Sequence, residues 1–192
     1  MLKALYNWTL RLAEHPRALL ALFIVSFAES SFFPIPPDVI MIPMIIARPN
    51  KAFVIAGVAL LGSVLGALLG YYIGAALFDT IGLPVLEFYG KTDYFEGFAE
   101  RYNAYGAWAV LIAGVTPFPF KVITILSGST GLNLGIFIIA ALIARALRFF
   151  LVAGLLWKFG SPIREFIEKR LGVMFILFMV CLVGGFYVVK FL

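Results

Sequence analysis

The chain has 192 residues, of which 63% are hydrophobic and 13% are charged, and its mean hydropathy is +1.05. Soluble domains carry roughly 45–50% apolar and about 25% charged residues, so this composition excludes a soluble protein and indicates one integral membrane domain over residues 1–192. The net charge of +5 does not indicate nucleic-acid binding, because the basic residues cluster at the ends of apolar segments, where they act as cytoplasmic anchors.

The cysteine and histidine content excludes redox and zinc chemistry. The chain has a single cysteine, Cys181, and a single histidine, His15, which cannot build a disulfide framework or a Cys/His metal site. The first residues mix charges into the apolar pattern and contain no small-x-small cleavage site, so they do not predict a secretory signal. We therefore expect no metal and no cofactor, and an N-terminus that stays attached.

The first predicted element is a short helix over residues 1–17. Leu2, Leu5, Trp8 and Leu12 recur at a spacing of three to four, which is typical of a helix that lies in the membrane interface. An ordinary helix that leads into the first membrane segment is an equal alternative.

Residues 18–47 form a broken apolar segment. Pro34, Pro36 and Pro37 divide it into two apolar runs, and neither run is long enough as a helix to cross a hydrocarbon core of about 30 Å. Proline fixes φ and removes a hydrogen-bond donor, so one straight helix through the break is not expected. We predict a re-entrant helical hairpin here.

The next segment, residues 52–78, is predicted as a transmembrane helix. Gly62, Gly66, Gly70 and Gly74 recur at every fourth position, and this glycine face lets another helix approach closely in lipid, where packing drives association. We favour packing within the chain, and a homodimer interface is the alternative.

The only long polar stretch, residues 79–106, holds five of the ten acidic residues. We predict that it is an extramembrane, partly helical loop with interfacial aromatic residues. Residues 107–133 then repeat the broken pattern around Pro117 and Pro119, and they are predicted as a second re-entrant hairpin.

Two apolar segments, residues 134–157 and 171–189, complete the chain and are predicted as transmembrane helices. Arg145 and Arg148 interrupt the first of them. The predicted fold class is therefore all-α and integral to the membrane.

The two proline breaks align with an offset of 83 residues. Residues 34–42 and 117–125 match at five of nine positions, and a clean span follows each break. Paired broken segments are typical of transporters with inverted repeats, whose sites form where the breaks meet near the midplane. We expect hairpins that enter from opposite faces. The alternative is that both segments cross the membrane fully, because that arrangement places as many basic residues on the cytoplasmic side. The short length of the segments favours the hairpins.

Five ionisable residues lie within the apolar segments or at their breaks. Each costs about 2.5–3.5 kcal/mol at the centre of a membrane helix, so each should face protein or a wet cavity and have a partner. The repeat places an acid and a base at equivalent positions, which predicts a buried pair between Asp38 and Lys121. In a purely structural alternative the arginines snorkel and Asp38 caps a half-helix. The five residues are Glu29, Asp38, Lys121, Arg145 and Arg148.

These five residues carry one uncompensated positive charge, which favours an anionic head group as ligand. Arg145 and Arg148 are three apart and share one helix face, and together with Lys121 they are the predicted phosphate-binding residues. Helix N-termini at the breaks are expected to add N–H donors. Glu29 has no cationic neighbour in the sequence and is the predicted proton-binding residue, with Asp38 balancing charge.

The segment Glu29–Asp38, taken with Thr116–Lys121 and Gly128, resembles the DedA family of bacterial inner-membrane proteins, which is related to the VTT-domain lipid scramblases. The resemblance covers about residues 18–160. It implies paired re-entrant hairpins, a multi-pass location in the bacterial inner membrane, movement of polyprenyl phosphate or phospholipid between leaflets, and dependence on the proton motive force.

The carry-over of the family's motif residues is incomplete. The acidic pair of the family falls on Glu29 and Asp38. The second motif of the family carries two arginines around its proline, and this chain has Gly114 and Phe120 near those places. The chain therefore resembles a divergent branch of the family.

The leading functional prediction is a lipid flippase or scramblase, with protons as a further partner. The alternatives are a proton-coupled exporter of a small solute and a scaffold that assists membrane assembly. An enzyme acting on lipid phosphates is not expected, because the sequence has no serine–histidine pairing and His15 lies outside the candidate cavity.

Overall fold

The computed structural model describes residues 17–33, 35–116 and 118–160. Over these residues the chain is helical and contains no β-strand, which confirms the all-α prediction for this part of the molecule. The predicted interfacial helix at the N-terminus and the predicted span over residues 171–189 lie outside the described residues, apart from Arg17.

Seven α-helices follow one another along the described chain. They are α1 (Ala18–Ser31), α2 (Asp38–Ala47), α3 (Ala52–Leu77), α4 (Leu83–Phe88), α5 (Thr92–Val115), α6 (Phe120–Ser129) and α7 (Leu134–Gly160). A 3-10 turn (Pro49–Lys51) joins α2 to α3, and a π-helical turn (Phe78–Gly82) joins α3 to α4.

Within the described residues, two helical stretches have the length and hydropathy of membrane spans. They are Pro49–Phe88, which contains α3, and Leu134–Gly160, which is α7. The prolines explain why the other apolar helices are short: α1 ends three residues before the first of them, α2 begins directly after Pro37, and α6 begins directly after Pro119.

Helix α3 is central to the fold, because α1 and α6 both pack against its glycine face. Gly62 and Gly66 lie against the backbone of α1, and Gly70 and Gly74 lie against α6. A Cβ atom on Gly66 would overlap the carbonyl of Phe27, so the close approach requires glycine. The chain itself therefore covers the face that a homodimer would otherwise use.

The first broken segment begins and ends near the N-terminal end of α3. Ala18 at the start of α1 and Met44 near the end of α2 share one buried cluster with Ala52 at the start of α3. This end is basic: over the described residues it carries Arg17, Arg48, Lys51 and Lys158.

The second broken segment lies at the other end of α3. The rings of Phe78 and Phe95 stack with centroids 4.4 Å apart, which places the start of α5 beside the end of α3. Gly128 near the end of α6 packs on the backbone of Tyr71 in the same region. Helix α7 returns along α3 to the basic end, where Trp157 contacts Phe53.

One boundary differs from the sequence prediction. Residues 79–106 are predicted as an extramembrane, partly helical loop that is separate from the apolar segment after it, whereas α5 runs without interruption from Thr92 to Val115. No proline separates the polar part of this stretch from the apolar part, and the intervening Gly106 packs closely on Leu132. The change in composition therefore does not end the helix.

Candidate functional site

The two proline breaks meet beside the middle of α3. The hydroxyl of Thr124 in α6 donates a hydrogen bond of 3.0 Å to the backbone carbonyl of Ser30 at the end of α1. Helix α7 crosses both breaks at this level and brings in Arg145 and Arg148. Four of the five ionisable residues singled out in the sequence thus form ion pairs here.

Arg145 is the most deeply buried charge of the site, with 1% of its side chain exposed. Its Nη2 atom lies 2.6 Å from Glu29 Oε2, and its Nε atom donates to Ser63 Oγ at 2.6 Å. A buried guanidinium needs such partners because an unpaired charge in an apolar interior is costly. Glu29 therefore has a cationic partner that its sequence neighbours do not reveal.

Two buried serines complete the environment of this ion pair. The hydroxyls of Ser30 and Ser63 are 2.7 Å apart, and Ser30 also donates to Glu29 Oε2 at 3.1 Å. Ser63 is not among the residues singled out in the sequence, although it is a polar residue next to the glycine face of α3. Such a residue is a signal for a polar contact between closely packed helices.

Aromatic rings flank the Arg145 guanidinium. The Phe120 ring centroid lies 4.7 Å from Arg145 Cζ, and the Phe149 centroid lies 4.8 Å from it. Cation–π contacts of this kind stabilise a desolvated guanidinium. With its donors on Glu29 and Ser63 and rings against it, Arg145 is enclosed by protein, and it does not snorkel to the surface.

Arg148 connects the two breaks. Its Nη2 atom is 2.5 Å from Asp38 Oδ2 in the first break, and its Nη1 atom donates to the backbone carbonyl of Thr116 in the second break at 2.9 Å. The side chains of Arg148 and Asp38 are both 19% exposed. The Arg148 guanidinium is therefore more exposed than that of Arg145, whereas the carboxylates of Asp38 and Glu29, at 19% and 13%, differ little in exposure.

Asp38 does not cap the helix that it begins. No side-chain hydrogen bond caps α2, and the first N–H groups of the helix donate to the carbonyls of Pro36 and Pro37. One carboxylate oxygen, Oδ1, is buried and has no hydrogen-bond partner among the described residues. The alternative in which Asp38 only caps a half-helix is therefore wrong. The N–H groups that were expected to bind a ligand at this helix N-terminus mostly donate to carbonyls of their own turn.

The predicted pair between Asp38 and Lys121 is also wrong. Asp38 binds Arg148, because α7, the helix that follows the second break, supplies a guanidinium that reaches both breaks. Lys121, the second residue of α6, has no carboxylate within ion-pair distance in the part of the chain that the structure describes, and its side chain is partly exposed. It is the excess positive charge of the site.

The sequence matches a known protein family. The family model for the VTT domain matches residues 35–158. An uncharacterized protein of Haemophilus influenzae is 34% identical over 168 residues, which is 85% of this chain and 87% of that protein. An uncharacterized homologue from Histophilus somni is 38% identical over the same length and coverage. No solved structure matches the chain at a significant level.

Proposed function

This chain belongs to the VTT domain (DedA) family of membrane proteins, and we propose that it moves a phosphate-bearing lipid, polyprenyl phosphate or phospholipid, between the leaflets of the bacterial inner membrane. The observation that carries the proposal is the partly exposed Arg148–Asp38 pair at the junction of the two breaks, with Lys121 in the second break, which has no ion-pair partner among the described residues. Intramembrane charges of this kind mark substrate or ion pathways.

The proposed phosphate ligands are Arg148 and Lys121. Polyprenyl phosphate is a phosphate monoester that carries about −1.5 to −2 charges at neutral pH, and the phosphodiester of a phospholipid is also anionic. Either phosphate is attracted by the one excess positive charge and competes with Asp38 for Arg148. The planar guanidinium of Arg148 binds phosphate in a bidentate manner. The lipid tail stays in the bilayer while the head group passes this polar site.

Arg145 takes a different role from the one predicted from the sequence. Because Glu29 and Ser63 occupy its donors and two rings flank it, we propose that it positions α1 against α3 and α7 and does not itself hold the phosphate. Asp38, displaced from Arg148 by the phosphate, is then the acid that is free to take up a proton. Glu29 contributes to proton coupling only indirectly, through its ion pair with Arg145.

The proposed topology is two re-entrant hairpins in inverted repeat. Both ends of the first broken segment lie near the N-terminal end of α3, and α5 begins and α6 ends near its C-terminal end. The contact between Thr124 and Ser30 supports breaks that meet within the membrane. The positive-inside rule assigns the basic end to the cytoplasm and the end that carries five acids to the opposite side.

The test is leaflet exchange of fluorescent lipids in vesicles that contain the purified protein. We expect labelled polyprenyl phosphate or phospholipid to exchange between leaflets faster than in protein-free vesicles, and labelled polyprenol, which lacks the phosphate, to show no acceleration. Equal acceleration of polyprenol would contradict a phosphate site. No acceleration of any lipid would favour the scaffold or the solute exporter.

A further inference from the structure

A second concave site lies at the C-terminal end of α3, remote from the two breaks. It is a cavity of about 420 Å³, bounded by the π-helical turn, α4, the first turns of α5 and the last turn of α6. Sites for small ligands are typically about 300–1,000 Å³. The cavity is large enough for a small organic group, and the proposed lipid pathway does not use it.

The π-helical turn explains why a cavity forms here. Five residues, Phe78–Gly82, adopt the wider helical turn between α3 and α4, and Ala75, Asp79, Leu83 and Leu86 line the cavity on either side of it. π-Helical turns are rare and occur frequently at functional sites, because they change the direction in which side chains project.

The walls of the cavity are mainly apolar and partly aromatic. Phe78 and Phe95 both line it, and their rings stack with centroids 4.4 Å apart and an interplanar angle of 24°. The hydroxyls of Ser129 and Thr130 at the end of α6 donate to backbone carbonyls of the helices, so toward a ligand their oxygens act only as acceptors. The walls therefore suit the hydrocarbon part of a ligand, and the aromatic rings suit a cation.

Two carboxylates set the charge of the cavity. Asp79 projects from the π-helical turn and Glu96 from α5, and both line the cavity. Neither forms an ion pair with any residue that the structure describes. Two negative charges beside aromatic rings attract an organic cation, which gains both ion pairing and cation–π contacts.

We infer that this cavity binds an organic ammonium group, primary or quaternary, whose neighbouring hydrocarbon lies against Phe78 and Phe95. A calcium ion fits less well, because it requires roughly six to eight oxygen ligands and most of the lining is hydrocarbon. The ammonium group comes either from an amine-bearing lipid head group or from a free amine. This site is independent of the phosphate site at the breaks, so each can fail without the other.

The test uses the full chain in detergent micelles and n-butylammonium as probe, with binding measured by saturation-transfer NMR and n-butanol as the uncharged comparison. We expect butylammonium to bind and butanol to bind much more weakly. The double variant Asp79→Asn/Glu96→Gln should weaken butylammonium binding roughly tenfold, since two partly screened charge contacts are lost.

The matched control is Asp93→Asn/Glu100→Gln, which removes the same charge from the same end of the molecule at positions that do not line the cavity. It should bind butylammonium within about twofold of the unmodified protein, because exposed charges act weakly at a distance. The inference is overturned if both double variants weaken binding equally, if butanol binds as tightly as butylammonium, or if the unmodified protein binds neither. All of these residues are exposed, and thermal unfolding verifies that the variants fold.

A competition experiment in lipid nanodiscs distinguishes the two sources of the amine. If phosphatidylethanolamine displaces butylammonium and phosphatidylglycerol does not, the ligand is a lipid head group. If neither lipid displaces the probe while spermidine does, the ligand is a free amine. Displacement by phosphatidylglycerol alone would contradict an ammonium site.

Discussion

The guanidinium of Arg145 lies 2.6 Å from the carboxylate of Glu29, across 116 residues of sequence and between two aromatic rings. Breaking a buried pair by removing one partner costs about 3–5 kcal/mol, because the other charge is left unpaired. We therefore expect Arg145→Met or Glu29→Gln alone to lower the unfolding temperature in detergent sharply. The double variant should lose less than the sum of the two, and additive losses would show that the residues do not interact.

The Arg148–Asp38 pair gives a second, different expectation. Exchange of the two charges, Asp38→Arg with Arg148→Asp, should recover stability relative to either single change, since the ion pair is restored in the opposite sense. The exchange Asp38→Lys with Lys121→Asp should not recover it, because these side chains are not partners. The measurement is the unfolding temperature of the six variants, four single changes and two exchanges. If only the second exchange recovers stability, Asp38 pairs with Lys121 and not with Arg148.

The close packing of α1 on α3 predicts a position-specific effect of one methyl group. Gly66→Ala places a Cβ against the carbonyl of Phe27, and overpacking of this kind costs about 1–3 kcal/mol. Gly57→Ala in the same helix is the control, because nothing lies within 4 Å of its added Cβ. Equal unfolding temperatures for the two variants would contradict the packing.

The proposed topology predicts the sides from which single cysteines react. In a Cys181→Ser background, Arg17→Cys and Asn50→Cys should be labelled by a membrane-impermeant maleimide from the cytoplasmic side, and Tyr94→Cys from the opposite side. Labelling of positions 17 and 50 from opposite sides would mean that the first broken segment crosses the membrane fully.

Local sequence features predicted the helical segments and the breaks because their causes are local. Prolines end helices through steric clash and the loss of an N–H group, and a glycine repeat predicts close helix contact wherever it occurs. The helix over Ala52–Leu77 lies where the apolar run and the glycine face place it.

The ion pairing of the site could not be predicted in the same way. The repeat aligns Asp38 with Lys121, but an alignment of the two breaks does not show which side chains of α7, the span that follows the second break, reach them. Helix α7 supplies Arg148 to Asp38 and Arg145 to Glu29, contacts separated by 110 and 116 residues. Only the three-dimensional packing shows which arginine is enclosed and which is accessible.

The most direct test of the central claim compares Lys121→Gln, Arg148→Lys and the control Lys51→Gln in the leaflet-exchange assay. Lys51 lies at the basic end, away from the breaks. We expect the first two variants to fold as judged by thermal unfolding and to lose about tenfold or more of phosphate-dependent exchange, since Lys121→Gln removes a charge-assisted contact to the phosphate and Arg148→Lys keeps the charge but loses the bidentate contact. Lys51→Gln should retain the full rate. If Lys121→Gln and Arg148→Lys exchange polyprenyl phosphate and phospholipid as fast as the unmodified protein, these residues do not bind the phosphate and the proposed site is wrong.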